Sequence, residues 1–102
     1  MATAGQTMIG KTCLVTDGTC DLGQAVARRL VRLGATVVMA GRDARAGEEA
    51  LGRLRAEAPG ARVTFLAADL AEQSAVRRLA GEFMARYPHL DVLVNDSCGF
   101  FR

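Results

Sequence analysis

Apolar positions recur along the chain in two alternating rhythms. Residues 11–16 form a short run suited to a buried strand, and the turn-like Asp17-Gly18-Thr19-Cys20 closes it. Leu22, Val26, Leu30 and Leu33 then recur at helical spacing, and Gly34 is placed to end that helix as the residue past its C-cap. Residues 36–40 are a second run rich in β-branched side chains, broken by Gly41-Arg42-Asp43. Asp43 is suited to N-cap the next helix, which runs to about Ala58 and stops before Pro59-Gly60. Its predicted inward face is Ala46, Ala50, Leu51 and Leu54. Residues 62–67 give a third strand. After Asp69-Leu70 comes a third helix, with Val76, Leu79, Ala80, Phe83, Met84 and Tyr87 on its apolar stripe and Pro88 as its stop. Residues 90–94 give a fourth strand, and 95–102 a loop or the start of another helix.

The predicted order is β-α-β-α-β-α-β. Strands apolar on both faces, separated by amphipathic helices, imply an α/β fold with a parallel sheet covered on two sides. Right-handed crossovers leave few topologies. The dinucleotide-binding strand order 3-2-1-4 is favoured, with the flavodoxin-like order 2-1-3-4 as the alternative. At 102 residues the chain makes one domain at most. Residues 1–9 are expected to be a flexible tail, and residues 10–102 the folded unit.

Composition narrows the function classes. Half the residues are hydrophobic and 24% charged, as in ordinary globular domains. No apolar run approaches the roughly 18 residues of a membrane span. The small, polar start at residues 1–6 lacks the pattern of a secretory signal, so a cytoplasmic location is the expectation. Arg28, Arg29, Arg32, Arg53, Arg55, Arg77 and Arg78 scatter over predicted outer helix faces. With one Tyr and no Trp, they read as solvated faces rather than a nucleic-acid surface. Cys13, Cys20 and Cys98 are odd in number and lack C-x-x-C spacing, so free thiols are expected and no metal site.

Four segments in this order carry a resemblance. They are Val15-Thr16-Asp17-Gly18-Thr19-Cys20-Asp21-Leu22-Gly23, then Gly34-Ala35-Thr36-Val37-Val38-Met39-Ala40-Gly41-Arg42-Asp43, then Ala68-Asp69-Leu70, and Leu90-Asp91-Val92-Leu93-Val94-Asn95. Together they resemble the N-terminal half of the short-chain dehydrogenase/reductases. Glu48-Glu49-Ala50-Leu51 and Leu54-Arg55-Ala56-Glu57 look most like the retinol-dehydrogenase-like branch. The resemblance implies a Rossmann-like three-layer sandwich, truncated after four strands and three helices. It also implies a parent activity: hydride transfer between NADP(H) and an alcohol or carbonyl.

The cofactor residues that the resemblance implies are Thr16, Gly18, Thr19, Cys20, Leu22, Gly23, Arg42, Asp69, Leu70, Asn95 and Ser97. A glycine-rich turn before a helix N-terminus lets a diphosphate approach free N–H groups and a partial positive charge. The family reads T-G-x-x-x-G-x-G there. This chain keeps Thr16 and Gly23 but has Asp17 and Asp21 at the first two glycine positions, with Gly18 one place late. Each carboxylate beside a diphosphate costs on the order of 1–4 kcal/mol. That is roughly a tenfold to thousandfold loss of affinity, so NADP binding is expected to be weak or lost. Asp21 with Gln24 also makes a capping-box-like pair, an internal anion in place of the ligand or an ordinary cap.

Arg42 resembles a clamp for the adenosine 2′-phosphate, with a surface pairing to Asp43 as the alternative. Asp69 and Leu70 match positions flanking adenine, and Asp69 could equally cap a helix. Asn95-Asp96-Ser97-Cys98 stands where the family has N-N-A-G. The departures Asp17, Cys20, Asp21, Asp96 and Cys98 all fall on loops after strands one and four.

No catalytic residues are assigned. The family's pair is Tyr-x-x-x-Lys, whereas this chain has one tyrosine, Tyr87, and one lysine, Lys11, far apart in sequence. Tyr87 reads as a helix-end apolar contact and His89 as a turn residue without a partner for proton transfer. The alternative function is a non-catalytic, degenerate module for interaction or dimerisation. In that reading the open strand-four edge beside Phe100-Phe101 invites self-association.

Overall fold

A computed structural model describes residues 8–16 and 21–95, with the side chains of Asp21 and Asn95 excepted. The elements are β1 (Thr12–Thr16), α1 (Asp21–Arg32), β2 (Thr36–Gly41), α2 (Ala44–Glu57), β3 (Val63–Ala67), α3 (Gln73–Arg86) and β4 (Val92–Asn95). The four strands form one sheet in the order β3-β2-β1-β4, and every pairing is parallel. β1 therefore sits between β2 and β4, which rules out the order 2-1-3-4.

Alternation along the strands divides the core in two. Cys13, Val15, Val37, Met39 and Val63 point to one face, where Ala27 and Val31 of α1 and Ala50, Leu51 and Leu54 of α2 cover them. Val38, Ala40 and Leu66 point to the other, under Ala75, Leu79 and Phe83 of α3. The result is the expected three-layer sandwich. Arg28 of α1 meets Glu57 of α2 at 2.7 Å on the outside, and Arg53 donates to Gln24.

The helix ends follow local chemistry. Asp43 caps α2, its Oδ1 accepting from the Ala46 amide at 3.1 Å. Gly34 adopts φ +96°. Its amide donates to Val31 O and that of Ala35 to Leu30 O, which closes α1 in a Schellman turn. Met8, counted with the tail above, donates to Leu33 O at 2.7 Å and packs against the α1–α2 core.

Three predicted faces shift. On α1 the buried positions are Gly23, Ala27 and Val31, while Leu22 is exposed and Val26, Leu30 and Leu33 are half-buried. Small side chains let the helix lie close to the sheet, and the larger ones flank the contact. On α2 the inward row also includes Gly47, which lies against the Phe65 ring. On α3 the row 75-79-83 meets the sheet, whereas Val76, Ala80 and Met84 stay exposed. The stripe of α3 is wider than the sheet surface that the described residues offer it.

β4 begins at Val92 rather than residue 90 because Asp91 replaces a rung of the ladder. Its backbone amide donates to Thr12 O at 2.9 Å, and its carboxylate accepts from the Thr12 amide at 2.8 Å. Asn95, read as loop, is the last residue of β4 and pairs with Thr16.

Candidate functional site

The carboxyl ends of the strands bring the predicted positions into one row. Asn95 of β4 lies beside Thr16 of β1, Thr16 beside Ala40 of β2, and Gly41 beside Ala67 of β3. In open α/β sheets ligands bind outside this edge, where the winding reverses. Here the reversal falls between β1 and β4, the two strands whose following loops carry the sequence departures.

Each described position has a local reason for its place. Thr16 is almost fully buried, and its hydroxyl donates to Val94 O at 3.2 Å, tying the ends of β1 and β4. α1 begins at Asp21, five residues after β1 closes at Thr16, so its N-terminus rises from the middle of the row. Gly23 in its first turn is buried and Leu22 is 59% exposed. Arg42 is exposed one residue beyond β2. Among the described residues it forms no ion pair, and the Asp43 carboxylate accepts from the Ala46 amide. That removes the surface pairing of Arg42 with Asp43.

Asp69 follows the end of β3. Its Oδ1 accepts from the Ala71 amide at 3.0 Å, and its carbonyl accepts from the Glu72 amide. It therefore closes a turn and does not cap α3, whose N-cap is Glu72. Leu70 is half-buried against the α3 core. Gly18, Thr19, Cys20 and Ser97 lie outside the described residues, as do Asp17, Asp96, Cys98, Phe100, Phe101 and the Asp21 side chain.

Two contacts of this edge escaped the sequence reading. Gly41 ends β2 as a paired strand residue rather than a break, and its carbonyl accepts from the Ala68 amide at 2.7 Å, extending the ladder past β3. The β-branched run before it was the available signal. At the opposite end of the sheet, His89 does have a partner. Its Nε2 lies 2.9 Å from Asp91 Oδ2, a carboxylate already holding the Thr12 amide. The Tyr87 hydroxyl hydrogen-bonds Thr64 Oγ1 at 3.3 Å, so Tyr87 is more than an apolar contact. Lys11 stands just before β1. None of these groups is near the row of strand ends. Among the described residues no three His, Cys, Asp or Glu side chains gather as metal ligands. No described helix is long and apolar enough to cross a membrane.

Residues 11–99 match the sequence profile of the short chain dehydrogenase family. The chain belongs to the short-chain dehydrogenase/reductase family. That family comprises NAD(P)-dependent oxidoreductases. Among its members, mouse (Mus musculus) polyprenol dehydrogenase is 41% identical over 88 residues, covering 86% of this chain and 26% of its own length. Human (Homo sapiens) retinol dehydrogenase 14 is 39% identical, covering 93% of this chain and 32% of its own. This agrees with the resemblance to the retinol-dehydrogenase-like branch. A structure of Pseudomonas aeruginosa RhlG, an active-site complex with NADP, superposes with a TM-score of 0.81 at 34% identity. It covers 89% of this chain and 36% of RhlG. The chain thus spans about a quarter to a third of the length of these relatives.

Proposed function

We propose that this chain is the nucleotide-binding portion of an NADP(H)-preferring oxidoreductase acting on alcohols or carbonyls. The observation that carries the reading is the row of strand ends. Thr16, Arg42, Asp69 and Asn95 come from four different strands or strand-following loops along the carboxyl edge of the sheet, with Thr16 and Asn95 on the two strands between which the winding reverses. The row fits the adenosine half of a dinucleotide. Buried Gly23 lets α1 begin close against the sheet, and Arg42 is exposed without an ion pair among the described residues. Arg42 would hold the 2′-phosphate, and Asp69 and Leu70 would flank the adenine. Thr16 and Asn95 would shape the ribose side. Bound NADP(H) would supply the hydride.

The named activities of the similar proteins, on retinol and on polyprenol, favour an isoprenoid alcohol or its carbonyl as the substrate class. A two-dimensional amide NMR titration of the 102-residue chain tests the cofactor reading. NADPH is expected to shift the amides around Gly23, Arg42 and Asp69, and NADH to shift them more weakly. In Arg42→Ala, NADPH affinity should fall about tenfold to hundredfold, the worth of one charge-assisted phosphate contact, while NADH affinity stays unchanged.

One sequence feature favours a second reading, a non-catalytic interaction module. Asp17 and Asp21 replace the phosphate-loop glycines. Dispersed spectra that ignore NADPH at millimolar concentration would select that reading and reject the first.

A further inference from the structure

The outer edge of β3 carries a contact that the strand-end row does not use. Among the described residues β3 pairs only with β2. The dinucleotide-binding order 3-2-1-4-5-6 adds its later strands beyond β4, so β3 is the outermost strand of that order. Alternation fixes which of its backbone groups face outward. The Val37 amide donates to Arg62 O and the Ala68 amide to Gly41 O. Arg62 and Ala68 thus face β2, as do Thr64 and Leu66 between them, while Val63, Phe65 and Ala67 turn their N–H and C=O groups away. The segment Val63-Thr64-Phe65-Leu66-Ala67-Ala68 has no charge and no proline, and it lies between Arg62 and Asp69. Uncharged segments of this kind pair with copies of themselves, and an unpaired sheet edge is where they do so.

One outward group is already taken. The Val63 carbonyl accepts from Arg55 Nη2 at 3.1 Å, in a part-buried contact. Arg55 stands in the last turn of α2 and forms no ion pair among the described residues. A basic side chain at a helix end ordinarily serves the helix's own last carbonyls. The end of α2 closes instead through its backbone, the Ala58 amide donating to Leu54 O, and Arg55 reaches past it to the strand. On the other face of the sheet the Tyr87 hydroxyl hydrogen-bonds Thr64 Oγ1 at 3.3 Å. The amino end of β3 is therefore fastened from both helix layers, and a charged side chain lies across its edge.

We propose that Arg55 is a strap that closes the β3 edge to strand addition by the same segment of another copy. An edge carbonyl can bond water instead, so the contact adds little to stability. What it adds is cover. An incoming strand must displace the guanidinium from Val63 O and leave a cation beside its own apolar side chains, which costs desolvation. The charges at Arg62 and Asp69 flank the same segment and act in the same direction. Arg55 and Val63 lie at the opposite end of the sheet from the strand-end row, so cofactor binding does not enter the test.

Sedimentation velocity and amide hydrogen exchange of the 102-residue chain, wild type against Arg55→Ala, test it from micromolar to millimolar concentration. In the wild type the Phe65 and Ala67 amides exchange at one rate across that range. In Arg55→Ala the mass rises with concentration from the monomer value of 10.8 kDa, and exchange at Phe65 and Ala67 slows at least severalfold as it does. Arg55→Gln, which shortens the reach and removes the charge, behaves alike. Ala67→Pro added to Arg55→Ala removes an outward N–H without touching the ladder to β2, and restores the wild-type behaviour. Circular dichroism is unchanged throughout, because Arg55 and Ala67 are exposed. Equal mass and exchange in wild type and Arg55→Ala overturn the proposal, as does wild-type protection of Phe65 and Ala67 at millimolar concentration. Association that Ala67→Pro leaves in place overturns it too, since it runs through another surface. Unfolding of both Arg55 variants would make the contact a support of the fold and overturn it as well.

Discussion

Gly47 and Gly52 lie in the same helix, α2, yet a methyl group added at each meets different surroundings. At Gly47 a Cβ would stand 2.5 Å from three carbons of the Phe65 ring, while at Gly52 nothing lies within 4 Å. Gly47→Ala forces a half-buried ring to move and should destabilise the fold by about 1–3 kcal/mol. Gly52→Ala adds helix propensity at an exposed site and should stabilise it by about 0.5–1 kcal/mol. Urea unfolding of the two variants checks both signs. Cys13 gives a residue-scale pH dependence. Burial pushes its thiol above the ordinary 9.0, and the nearby Asp91 carboxylate adds to the rise. The unfolded chain thus releases this proton first as pH increases. The stability that Cys13 contributes is whole below about pH 9 and is lost as pH climbs from there through the folded value. Cys13→Ala removes that slope. The stability difference between wild type and variant, measured by denaturant unfolding, should shrink with rising pH above about 9 and stay constant below it.

β4 is the shortest element and has one strand neighbour among the described residues, so its attachment depends on how its lower end is fastened. Asp91 makes two bonds to the Thr12 backbone, one through its amide and one through its carboxylate. Asp91→Ala leaves the nearly buried Thr12 amide without that acceptor and should cost about 1–3 kcal/mol. Amide exchange at residues 92–94 should quicken well before exchange in β2. The His89 contact to the same carboxylate is half exposed and is worth under about 1 kcal/mol, so His89→Ala should leave β4 nearly as protected as before. The order and kind of all seven elements were legible in the sequence, because each keeps one hydrophobic period between Gly, Pro or Asp punctuation. Contacts that depend on a distant partner were not legible. Asp91 reads as a polar residue before a strand until β1 arrives beside it. Leu22 and Met84 read as core until the sheet proves to reach only the rows 23-27-31 and 75-79-83.

At the scale of the whole molecule, the parallel order β3-β2-β1-β4 delivers four strand ends to one edge, and the chain's departures from its family gather at the loops of that edge. The places of the candidate residues in the fold were legible because topology fixes them. Thr16 and Arg42 fall at strand ends whatever their neighbours do. The role of Asp69 was open in the sequence, since a carboxylate after a strand can face a ligand or close a turn, and its Oδ1 is engaged with the Ala71 amide. The same ambiguity attaches to Asp17 and Asp21, and binding decides it. If these carboxylates stand where the diphosphate would lie, restoring the family's glycines removes two like charges and should help in two steps. Asp17→Gly and Asp21→Gly would each raise NADPH affinity roughly tenfold to thousandfold, with the double variant above either single. Calorimetric titration of the four chains with NADPH, at low and at physiological salt, measures this. The gain should be larger at low salt, where repulsion is less screened. Equal affinity across all four chains would mean that the aspartates do not face the cofactor. A stepwise gain would mean that these two carboxylates oppose cofactor binding in this chain.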